Sequence, residues 1–115
     1  MSARPPDPVP APLPALFLGH GSPMNTLADN AFTRAWCGLA ARMPVPRAIL
    51  CISAHWVTPG VGVTAMAHPE TLHDFHGFPR ALAEFDYPAP GDPGLAAEIA
   101  ARLAPEPVVL DQAWG

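Results

Sequence analysis

The chain has 115 residues, half of them hydrophobic and 14% charged, a balance that fits one compact domain or part of one and excludes a disordered or fibrous polypeptide. The net charge is −4, with six arginines and no lysine, so there is no basic stripe to neutralise phosphates and nucleic acid is not expected as a partner. No apolar run approaches the roughly 18 residues of a membrane span, which points away from the membrane and towards the cytoplasm. Cys37 and Cys51 sit in apolar stretches and read as buried, reduced thiols rather than as a disulfide framework.

Residues 1–14 hold six prolines and read as a disordered tail. Ala15 to Leu18 is a short unbroken apolar run stopped by Gly19-His20-Gly21-Ser22-Pro23, the pattern of a strand buried on both faces. Asp29 and Asn30 are helix-capping residues, and beyond them Phe32, Ala35, Trp36, Leu39, Ala40 and Met43 fall on one helical face that Pro44 and Pro46 terminate. Ala48 to Ala54 is a second buried strand, so that strand, helix and strand make a βαβ unit with parallel strands. Gly60 to Met66 alternates as a third strand, and His68 to Gly77 is a polar, aromatic loop without a period. A short helix is expected over Pro79 to Phe85. A firmer one is capped by Asp92, with Pro93 at its first position and Leu95, Ile99 and Leu103 spaced by four. Val108 to Leu110 opens a fourth strand shortly before the sequence stops, which reads as a truncated chain. The fold class is therefore α/β, a mostly parallel central sheet flanked by helices, incomplete, as in the amino-terminal half of a larger domain.

His20 and His55 occupy equivalent places, each closely following an apolar strand of the βαβ unit. Neighbouring parallel strands lie about 4.8 Å apart, and open α/β sheets bind ligands beyond the carboxyl ends of their strands. Two imidazoles so placed can converge on one ion, although a single histidine after a strand is ordinarily a hydrogen-bonded turn residue. His68, His73 and His76 lie in the polar loop and match no metal-ligand spacing. Ser22 and Ser53 have no base at an evident spacing, and serines in such turns are ordinarily partners of the backbone. The Gly19-His20-Gly21 turn also fits an α/β-hydrolase oxyanion loop, but no G-x-S-x-G elbow accompanies it.

The segments Leu16 to Asn25 (LFLGHGSPMN), Ser53-Ala54-His55-Trp56, His73 to Pro79 (HDFHGFP), Tyr87 to Gly91 (YPAPG) and Leu110 to Gly115 (LDQAWG) together resemble the DOPA 4,5-dioxygenase branch of the class III extradiol ring-cleavage dioxygenases. The resemblance implies that residues 15–115 are the amino-terminal part of an extradiol dioxygenase catalytic domain. It implies a central sheet with a mononuclear metal at strand ends, His20 and His55 as two of its ligands, and a third ligand and an acid/base histidine beyond residue 115. One divalent metal, Zn2+ or Fe2+, is implied. Iron(II) is expected for turnover, since the chemistry needs open coordination positions and zinc has no redox chemistry. The implied partners are a small aromatic diol, DOPA-like, and O2. Ser22 and Trp56 are expected to shape the substrate pocket, with His73 and His76 on a loop above it. The fragment alone is expected to be inactive, the alternatives being a non-catalytic remnant or an α/β-hydrolase fragment.

Overall fold

A computed structural model describes residues 12–115, so most of the expected proline-rich tail lies outside the described residues. The chain divides into two units, the first ending at Pro46 and the second running Arg47–Gly115.

In the first unit, Ser22 caps a 3-10 turn at Pro23–Thr26, its hydroxyl accepting the Met24 N–H at 3.2 Å. Helix α1 follows at Ala31–Ala40. Asn30 forms a reciprocal capping box: its side chain accepts the N–H groups of Phe32 and Thr33 at 2.9 and 3.1 Å, and its own N–H donates to the Thr33 hydroxyl at 2.9 Å. These bonds satisfy N–H groups that no preceding turn can accept. The helix ends three residues before the expected Met43. Arg42 N–H and Met43 N–H turn back to the carbonyls of Leu39 and Ala40, tightening the chain before Pro44. Of the expected apolar face, Trp36, Leu39 and Met43 are half-buried while Phe32 is exposed.

The second unit is built on two parallel strands, β1 at Val61–Thr64 and β2 at Val108–Asp111, in register Val61 to Val108 through Thr64 to Asp111. Between them come α2, Arg80–Ala83, and α3, Pro93–Arg102, of which α3 packs on both strands. A parallel pair requires such a crossover, and the expected α/β class with a parallel sheet and helices is what forms. Asp92 caps α3 by accepting the Leu95 N–H at 2.9 Å, with Pro93 at the first position, where a missing N–H costs nothing. Ala65, Leu82 and Ala96 are the buried hydrophobic residues of this small core.

Two close approaches lock the unit. Gly91 donates its N–H to the Ala67 carbonyl at 3.0 Å, and a Cβ at Gly91 would fall 1.9 Å from the Met66 carbonyl oxygen. The ring of Trp56 lies over Gly62 of β1, where a Cβ would come within 3.0 Å of it, and stacks on Trp114. At the end of β2 the Asp111 carboxylate accepts the N–H groups of Ala113 and Trp114, both at 2.7 Å. These two backbone donors hold the Asp111 carboxyl below the usual carboxylate range.

Three expectations are corrected. Ala15 to Leu18 and Ala48 to Ala54 form no strand, Ala54 lying in a turn, and their apolar side chains are exposed, Phe17 fully and Ile52 to 92%. An apolar run makes a buried strand only where a neighbour supplies ladder bonds and cover, and among the described residues neither run has one. Cys37 and Cys51, expected to be buried, are both exposed; Cys51 follows the fate of its run, and Cys37 is an exposed position of α1 between the half-buried Trp36 and Leu39.

Candidate metal centre

The first unit carries His20 in a turn whose geometry its neighbours dictate. Gly21 adopts φ 63°, a left-handed conformation that favours glycine, and so reverses the chain. Asn25 then braces the turn, donating from Nδ2 to the His20 carbonyl at 2.9 Å while its Oδ1 accepts from the Asn30 side chain at 3.0 Å. The His20 turn is thus tied to the cap of α1. The His20 ring is exposed, and its Nδ1 contacts the Gly21 carbonyl oxygen at 2.9 Å. A carbonyl can only accept, so Nδ1 carries the proton, and in the neutral ring Nε2 presents its lone pair. His20 and Ser22 border an open hollow of about 310 Å³ together with Asn25, Thr26 and Trp36.

The second unit carries His55 in a turn of similar economy. The Ser53 hydroxyl accepts the His55 N–H at 3.1 Å, and the next residue, Trp56, is pinned between Gly62 and Trp114. The His55 Nδ1–H donates to Asp74 Oδ2 at 2.8 Å. An ionised carboxylate has no proton to give, so here too Nε2 is the open nitrogen. Both serine hydroxyls accept backbone N–H groups of their own turns, as expected, and among the described residues neither is bonded to an imidazole ring, as a nucleophile would need.

His73 is fastened instead of open. Its Nε2–H donates to the Phe85 carbonyl at 2.7 Å, and its ring meets Phe75 edge to face, with Phe75 set the same way against Phe78. Two residues upstream, the Thr71 hydroxyl accepts the Tyr87 N–H at 3.1 Å and donates to Asp86 at 2.7 Å. The loop from 71 to 78 is therefore held to the segment after α2 at both Thr71 and His73. His68 and His76 are exposed.

The donor set decides what such residues can hold. Neutral imidazole suits zinc and iron, and ligating histidines almost always donate their second N–H to a carboxylate or a backbone carbonyl. His20 and His55 have these two kinds of partner, so both fit a metal. Among the described residues no group of three or more histidine, cysteine, aspartate or glutamate side chains is gathered to hold an ion. Asn25 and Asp74 are the residues that spacing alone missed: both stand inside the motif-bearing segments, but nothing in their positions tied them to His20 and His55.

No family model matches the chain. It is 60% identical over 104 residues to 4,5-DOPA dioxygenase extradiol of Escherichia coli (strain K12), covering 90% of this chain and 38% of that protein. It is 37% identical to dioxygenase tasH of Hapsidospora irregularis, over 89% of this chain and 36% of that protein. Against 4,5-DOPA dioxygenase extradiol of Beta vulgaris the identity is 40%, over 76% of this chain and 34% of the relative. The chain thus spans a little over a third of the length of the curated relatives it matches.

Proposed function

We propose that this chain, similar over nine-tenths of its length to the 4,5-DOPA dioxygenase extradiol of Escherichia coli, contributes His20 and His55 as ligands of a divalent metal serving ring opening of an aromatic diol by O2. The observation that carries this reading is the shared state of the two rings, each with Nδ1 tied to an oxygen acceptor at 2.8 to 2.9 Å and Nε2 left as the donor atom. When bound, iron(II) would supply the redox chemistry that joins diol and O2, which zinc lacks.

The chain's own residues do the rest. Gly21 and Asn25 set the His20 turn, Ser53 sets the His55 turn, and the fastened loop from Thr71 to Phe78 offers aromatic edges to a planar ring. Ser22 and Trp56 border the two turns, and His76, exposed on the loop, is a contact for ring substituents. A DOPA-like catechol is the substrate this reading selects. Among the described residues no helix is long and apolar enough to cross a membrane, and the two exposed thiols suit the reducing cytoplasm.

Alone, the chain binds metal weakly and does not turn over, because two imidazoles are fewer than the three protein ligands usual at a catalytic site. Competition with a chromophoric chelator gives the test. Wild-type chain should take up one Zn2+ or Fe2+, and His20→Ala and His55→Ala should each lose it. Full uptake by both variants overturns the assignment, and oxygen consumption by the iron-loaded chain with a catechol overturns the claim that it is inactive alone.

A further inference from the structure

The geometry points to Asp74 as the positioning residue of His55, an inference that rests on the metal reading above. The two residues are nineteen positions apart, yet Nδ1 and Oδ2 are 2.8 Å apart. Asp74 is not left to wander. The residue before it, His73, is bonded to the Phe85 carbonyl, and the residue after it, Phe75, packs edge to face on both His73 and Phe78. A carboxylate presented just after the fastened His73, and flanked by the packed Phe75 ring, gives the His55 ring a fixed acceptor.

The bond has two consequences. It selects the tautomer with the proton on Nδ1, and it fixes the rotation of the ring about its side-chain bonds. It contributes little to holding the fold, since the side chains are 72% and 53% exposed and an exposed pair in water is weak. Orientation of a donor atom is what remains for it to do. The same loop therefore contributes in two ways to the site: aromatic edges towards the substrate, and Asp74 towards a ligand.

The test uses the intact chain with 15N-labelled histidine, in metal-free and zinc-titrated forms, for wild type, Asp74→Ala, Asp74→Asn, Asp74→Glu and His55→Ala. In metal-free wild type the His55 ring should show a single tautomer protonated on Nδ1; Asp74→Ala should give a mixture, and Asp74→Glu should restore part of the wild-type signature. Zinc affinity should fall about 10- to 100-fold in Asp74→Ala, the range usual for loss of such a partner, with the urea midpoint unchanged. Asp74→Asn keeps the shape of the side chain and an oxygen that can accept the Nδ1–H, so it should keep the tautomer and lower zinc affinity only by the loss of the charge, a reading that remains should the alanine variant fold poorly.

A His55 tautomer and zinc affinity that match wild type in both Asp74→Ala and Asp74→Asn, with His55→Ala losing zinc, overturn the role of Asp74 and leave the metal reading standing. Unchanged zinc affinity in His55→Ala overturns the metal reading and, with it, this one, whatever the tautomer shows. A lowered urea midpoint in Asp74→Asn that accounts for the whole loss of zinc affinity also overturns it, because the bond would then be structural.

Discussion

The indole of Trp56 lies parallel to that of Trp114, ring centroids 5.8 Å apart and planes 1° from parallel. Trp56 follows His55 directly, and Trp114 follows the strand end that Asp111 caps, so this one stack ties the histidine turn to the end of β2. Aromatic pairs contribute about 0.5 to 1.5 kcal/mol beyond the area they bury. Trp114→Ala should lower stability by about 1 kcal/mol and diminish the near-ultraviolet dichroism of the stacked indoles, while Trp114→Phe keeps most of the stability and loses the indole-pair dichroism. An unaltered urea midpoint in the alanine variant would show that the stack contributes nothing.

Gly91→Ala should be among the more damaging single substitutions in the second unit. Its Cβ would lie 1.9 Å from the Met66 carbonyl, a backbone atom that no rotamer change can move. Overpacking of this kind costs about 1 to 3 kcal/mol. Gly60→Ala, where a Cβ meets nothing within 4 Å, is the matched control and should leave the denaturation curve nearly in place.

Asn30→Ala removes the acceptor of two N–H groups at the start of α1 and should cost about 1 kcal/mol, with Asn30→Asp retaining the cap. The loss should appear in far-ultraviolet dichroism as reduced helix content. It should also loosen the His20 turn, because Asn30 holds Asn25 and Asn25 holds the His20 carbonyl. Crosspeaks of Gly21 and Asn25 that stay fixed in the alanine variant would break that chain of argument.

Asp111 gives the second unit an acid-sensitive end. Its folded carboxyl titrates below the reference value of 3.8 because the N–H groups of Ala113 and Trp114 favour the charged form. The stabilisation is therefore full above the unfolded value and is lost as pH falls through the lower folded value. Asp111→Asn should remove that part of the acid dependence, and parallel stability–pH curves for the two proteins below pH 3.8 would rule it out.

How much of this was legible in the sequence depends on the range of the signal. The capping residues Asn30 and Asp92 act within three positions of themselves, and both helices start where those letters place them. The alternation around Val61 and the run at Val108 also became strands. Ala15 to Leu18 and Ala48 to Ala54 did not, because apolarity states that a segment gains by burial and leaves unsaid what will cover it. The candidate ligands His20 and His55 were visible as histidines after apolar runs. Their tautomers were not, since one depends on a glycine's turn and the other on an aspartate nineteen residues away.

The β1–β2 ladder spans a long gap in sequence, Ala65 and Gln112 being 47 positions apart where they meet. Closing such a loop costs entropy before any ladder bond rewards it, whereas the Asn30 box closes within one turn. During synthesis α1 can therefore organise as soon as it clears the ribosome, while β1 must wait until β2 has been made. Pairing in the second unit is delayed in this sense, and β1 stays open to capture by a chaperone until β2 emerges.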